Sequence, residues 1–186
     1  MHTHTLAAIV LAGLLSTPLA AQGTAPESPS QAVAVASFAG AWRLDTSLSR
    51  DLPEFYAAVA RHDLDIAQDD STLTVDVALV DTASVTQRMR FPYDLRQAVR
   101  TTTQVRTPRG PMDIPTTLTA TPRADGGIDI SIAREIRMGE RVVRPGDRET
   151  WHLSADGTQL LIDREAEMPG PGGMRTIRAH YVFVRR

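Results

Sequence analysis

The stretch "TLTVDVALV", Thr72 to Val80, decides the fold class. Leu73, Val75, Val77 and Leu79 fall on one side of an extended chain, and Thr74, Asp76 and Ala78 fall on the other. Side chains alternate across a strand with a period of two, so this segment reads as a strand with one dry face and one wet face. Upstream, "HDLDIAQ" places Leu64 and Ile66 on one face, and the turn "DDS" joins the two runs. Downstream, "SVTQRMRF" continues with Val85, Met89 and Phe91, and "VRTTTQVRT" and "TTLTATPR" are Thr-rich strands.

The C-terminal third repeats the pattern. The turn "ADGG" leads into Ile128, Ile130, Ile132 and Ile136 on one face. "MGE" turns the chain into "RVVRPGD", "ADG" joins "RETWHLS" to "TQLLIDREAEM", and "PGPGGM" leads into the last strand, "RTIRAHYVFVRR". About ten short strands at these spacings are typical of an antiparallel barrel or sandwich, and the expected fold is an all-β, antiparallel up-and-down barrel. One helix is expected, over Asp51 to Ala60, because Leu52, Phe55, Tyr56 and Val59 recur at helical spacing and Pro53 suits a first turn.

The N-terminus reads differently. "LAAIVLAGLL", Leu6 to Leu15, is too short for a transmembrane helix and has the length of a signal-peptide core, with small residues at Ala20 and Ala21. The expected organisation is a signal peptide over 1–21, a Pro-containing flexible tether over 22–37, and a barrel domain over 38–186. Export to the periplasm or the medium follows from that reading. The chain has no Cys, so it folds without disulfides and carries no Cys for a lipid anchor.

All 20 basic residues are Arg, and there is no Asn. Without Lys there is no Walker-type phosphate loop and no Schiff-base lysine, and without Asn there is no glycosylation sequon. A formal net charge of -2 gives no footprint for nucleic acid. No Gly-x-Ser-x-Gly elbow or His-Glu-x-x-His helix is present. His62, His152 and His180 are the histidines after the leader; His152 and His180 read as outward-facing on strands one strand apart, about 10 Å, which is no metal site. No cofactor is implied.

"FAGAWRLDTSLSR", Phe38 to Arg50, resembles the opening of bacterial secreted lipocalin-like (calycin-type) domains, whose first strand carries Gly-x-Trp before a Ser. The strand, "DG" hairpin, strand, loop and aromatic final strand from about Thr150 to Arg186 are similar to the ends of such domains. The resemblance implies that Gly40 and Trp42 form a plug at the barrel base, with an arginine from a late strand, one of Arg178, Arg185 or Arg186, covering the ring. It also implies a short connection where the Asp51 to Ala60 helix is expected. A large ring filling the taper of a barrel end under a stacked guanidinium is sound physics without the family.

Three charged residues interrupt apolar faces. Arg134 shares its face with Ile128, Ile130, Ile132 and Ile136; Arg164 shares its face with Leu160, Ile162, Ala166 and Met168; Glu149 shares its face with Trp151 and Leu153. If those faces point inward, Arg134, Arg164 and Glu149, with Ile130 and Ile132, line a pocket for a small apolar or anionic amphipathic ligand. The alternatives are that the charges pair internally or turn to solvent. A carrier is therefore the first functional reading, a filled-barrel interaction scaffold the second, and an enzyme on the same barrel the third. An interior void lined by Ile130, Ile132, Leu73 and Val75 separates the first from the second.

Overall fold

The computed structural model describes residues 36–107, 110–138, 140–170 and 173–186. The expected signal peptide and nearly all of the expected tether lie outside those residues. The chain joins the barrel at Ala36, slightly before Phe38: Ala36 N–H donates to the Gly126 carbonyl at 3.0 Å, and Gln68 Nε2 donates to the Ala36 carbonyl at 3.1 Å.

Ten strands among the described residues form one antiparallel sheet. They are β1 Gly40–Leu44, β2 Val59–Gln68, β3 Thr72–Asp81, β4 Thr86–Asp94, β5 Val99–Thr107, β6 Gly110–Pro122, β7 Ile128–Arg134, β10 Gly146–Leu153, β11 Gln159–Gly170 and β12 Gly173–Arg185. Between β7 and β10 a separate hairpin pairs β8 Ile136–Met138 with β9 Arg141–Val143. In the sheet each strand lies beside its sequence neighbours, and β12 returns to pair with β1, Trp42 opposite Arg185. β4 and β5 are the two ends of the sheet, and among the described residues no ladder joins them. The result is an up-and-down barrel, nearly closed.

The period-2 face read in β3 is the inner face: Leu73 and Val75 are buried and pair with Tyr93 and Phe91. The expected helix is not formed. Residues Glu54–Ala58 make a single 3-10 turn, held by Tyr56 N–H donating to the Pro53 carbonyl at 2.9 Å, and the chain is already extended at Val59. The physical reason is tertiary. Val59, β-branched and opposite Asp81, is captured by the β2–β3 ladder through a bulge before Arg61. The connection is thus short, and its apolar residues divide, Tyr56 inward and Phe55 51% exposed.

One end of the barrel is sealed. Phe38, Trp42, Leu73, Leu118 and Leu160 have no exposed surface, and they lie toward the end where the chain enters and the β2–β3 and β10–β11 hairpins turn. Trp42 Nε1 donates to the Phe38 carbonyl at 2.9 Å, so its one polar atom is satisfied. The Arg185 guanidinium stands 4.4 Å from the Trp42 ring centroid, and its Nη1 donates to the Ala39 carbonyl at 3.2 Å. Gly40 is required beneath it: with φ at +139°, a Cβ there would meet Arg185 Nη1 at 2.7 Å.

Trp42→Ala is expected to cost about 3–5 kcal/mol, the scale for a large buried aromatic. Denaturant unfolding measures it, and a loss below about 1 kcal/mol would show that the seal does not depend on the ring.

Candidate functional site

Above the sealed end the barrel is not filled. A cavity of about 250 Å³ lies among side chains from nearly every wall. Phe55 and Leu79 line both this cavity and an outer depression shared with Val59 and Val85, which marks the mouth. Apolar lining includes Val77, Met89, Phe91, Ile132 and Phe183.

The polar part of the lining is a cluster built on β7, β10 and β11. Register sets it: Asp147 pairs with Ile132 and Ala166, and Glu149 pairs with Ile130 and Arg164. Asp147 and Glu149, two apart on one strand, therefore share the inner face with Arg134 and Arg164. Asp147 is 3% exposed and its Oδ2 accepts from Arg134 Nη1 at 2.9 Å and from Arg164 Nη2 at 2.7 Å. Glu149 Oε2 accepts from Trp151 Nε1 at 2.9 Å, while its Oε1 stands 3.6 Å from Arg164 Nε, too far for a hydrogen bond. Burial pushes the Glu149 carboxyl above its ordinary range, against the pull of Arg164 and the Trp151 bond. Burial also works against the charge of Arg164, but Glu149 and Asp147 beside it hold the guanidinium firmly protonated.

Beside Arg164 stand three aromatic groups from the turn and from β2 and β12. Tyr56 Oη lies 3.0 Å from His62 Nδ1, and the Tyr56 and Tyr181 rings are 5.7 Å apart. Burial, with Arg164 nearby, lowers His62 to about 4, so the imidazole is neutral near pH 7. Burial raises both tyrosines above the ordinary phenol range. Two buried donors in this site, the Tyr181 hydroxyl and Arg164 Nε, make no hydrogen bond of good geometry; Tyr181 lies beside Tyr56 and Arg164, and Arg164 Nε meets Glu149 only at 3.6 Å. Leaving such groups unpaired costs free energy that native structures ordinarily avoid.

Arg134, Arg164, Glu149 and Ile132 of the sequence reading line the cavity, whereas Ile130 is buried and is not among the lining residues. Leu73 and Val75 are likewise core residues outside the lining. Asp147, Tyr56, Tyr181 and His62 were not picked out as site residues. Alternation was the available signal for His62, which shares a face with Leu64 and Ile66. Asp147 ends the segment "RVVRPGD", apart from "RETWHLS" in the sequence reading, and the β10 ladder joins it to that strand. His152 and His180 are on strands separated by β11, and His180 Nδ1 is 2.7 Å from Asp163 Oδ1. Among the described residues no group of three His, Cys, Asp or Glu side chains could hold a metal ion.

No protein-family model matches the chain, and no curated protein matches its sequence.

The neutral His62 sets a pH dependence with a definite sign. Its folded pKa lies below the ordinary 6.5, so the unfolded chain binds the proton more readily. Stability from this group is complete above about 6.5 and is lost as pH falls toward about 4, by roughly 3 kcal/mol. Unfolding free energy measured across that window should fall less steeply in His62→Gln than in the native chain; identical slopes would show that His62 is not held neutral.

Proposed function

We propose that the domain is an exported, lipocalin-like carrier of a compact apolar or anionic amphipathic ligand. The observation that carries the reading is the pair of donors without a good hydrogen bond, Tyr181 Oη and Arg164 Nε, at a cavity that joins a charged cluster to an apolar wall of Val77, Met89, Phe91 and Phe183. Apolar walls with a few fixed polar groups are the ordinary composition of a small-molecule site. Both donor atoms are closed to a water-sized contact, so a ligand oxygen satisfies them once the Arg164 and Tyr181 side chains shift toward the void, and the apolar part of the ligand then lies along Val77, Met89 and Phe91 toward Phe55. At about 250 Å³ the cavity is smaller than the ~300–1,000 Å³ of most ligand pockets, which favours a short chain over a long one. Export rests on the apolar leader segment Leu6 to Leu15.

A second reading draws support from the convergence of Tyr56, His62, Glu149, Arg164 and Tyr181 on one cavity. Several titratable groups around one void also suit an enzyme. Mass spectrometry of a bound ligand before and after incubation separates the two readings, since a carrier returns its ligand unchanged.

Native mass spectrometry of the purified protein should find a small amphiphile in one-to-one complex, and octanoate should displace it. Tyr181→Phe should keep the native stability within about 1 kcal/mol, because the hydroxyl it removes makes no hydrogen bond of good geometry. The same change should weaken octanoate by up to about 1.5–3 kcal/mol, the scale of a hydrogen bond to a charged group. Failure of short-chain acids, alcohols and copurified lipids alike to bind would overturn the carrier reading.

A further inference from the structure

The charges around the cavity leave no room for a bare second anion. Arg134 and Arg164 are the cations, and Asp147 is bonded to both through one oxygen. Glu149 supplies the second carboxylate, and with it ionised the cluster is neutral. The other titratable groups around Glu149 add no positive charge: Tyr93 from β4, Tyr56 from the turn after β1, Tyr181 from β12, and His62 from β2, which is neutral near pH 7. A ligand anion entering a neutral, largely dry cluster would be an uncompensated buried charge.

Glu149 and Asp147 differ in how they are held. Asp147 is fixed by two guanidinium hydrogen bonds. Glu149 reaches Arg164 Nε only at 3.6 Å, an ion pair without a hydrogen bond. The looser carboxylate is the one that can give up its cation. On the reading of the cavity as a ligand site, we propose that an anionic head group takes over Arg164 Nε and the Tyr181 hydroxyl, and that Glu149 accepts a proton from solvent in the same event, so that one anion and one proton enter together. The proton goes to a Glu149 carboxylate oxygen, and no other bond is made or broken. Trp151 Nε1 keeps its acceptor, because a protonated carboxyl still accepts through its other oxygen. The burial that raises Glu149 above its ordinary range makes the uptake easier.

The coupling selects ligands as well as protons. Above the pKa of Glu149 in the free protein, affinity for an anion falls by about tenfold per pH unit, while affinity for a neutral amphiphile stays level. The natural ligand class is therefore a short-chain monoanion, held better in mildly acidic surroundings.

The test uses titration calorimetry of the domain with 1-octanesulfonate, which stays anionic at every accessible pH, with octanoate, and with 1-octanol. Each is run at pH 7 and at pH 8 in two buffers of different ionisation enthalpy. The expected result is proton uptake on binding octanesulfonate or octanoate, rising toward one per anion as the pH is raised from 7 to 8, and none for octanol. Glu149→Gln should bind both anions with no proton uptake and with an affinity independent of pH from 5.5 to 8. Anion binding by the native protein without proton uptake overturns the proposal, and this measurement does not require the variant to fold. Equal uptake in Glu149→Gln also overturns it, by placing the proton elsewhere. Octanol binding with neither anion binding overturns the proposal while leaving the carrier reading intact; no binding of any probe overturns both.

Discussion

A single oxygen, Asp147 Oδ2, holds the interior of this barrel together. Two guanidinium groups on neighbouring inward faces can coexist there only if something cancels their charge at contact distance, and this oxygen accepts from both. It does so from a residue almost without exposed surface, where the attraction is strongest and where losing it would be most costly. The hydrogen-bonded link it makes crosses β7, β10 and β11, so the cluster also fixes the wall that carries it. Arg134 and Arg164 are both tied to that anchor, while Glu149 meets Arg164 Nε only at 3.6 Å.

The two ends of the barrel solve different problems. At the base, Trp42, Phe38 and the surrounding leucines fill all the space, and Arg185 lies over the indole with Gly40 making room for it. That sealing stands in for disulfides in a chain with no cysteine. At the other end, aromatic and charged side chains meet around a void, and the short turn after β1 puts Tyr56 into it and leaves Phe55 at the rim. A chain that packed both ends equally would have no cavity. One that packed neither would have too small a core to fold.

Much of the fold was legible because strand alternation is local. The faces containing Leu73 and Val75, Ile128 to Ile132, and Leu160 and Ile162 could be read from spacing alone, and each is buried. The same period put Arg134, Arg164 and Glu149 on apolar faces, but only the ladders decided that they point inward and that Asp147 pairs with both arginines. The helix expected over Asp51 to Ala60 failed because apolar spacing of i, i+3, i+4, i+7 cannot distinguish a helix from a turn followed by a strand. Pairing of Val59 with Asp81, a contact between separate segments, decided that question.

The sequence by itself determined the class of architecture, the apolar faces and the presence of charge on them, because each depends only on neighbours along the chain. Tertiary structure alone decided that Asp147, not Glu149, is the shared partner of the arginines, and that Arg185 is the arginine over Trp42. It alone brought Tyr56, His62 and Tyr181 to the same void. Those choices depend on register between strands and on where two inward faces meet across the barrel. A shift of one residue in any ladder would have turned a different side chain toward the same space.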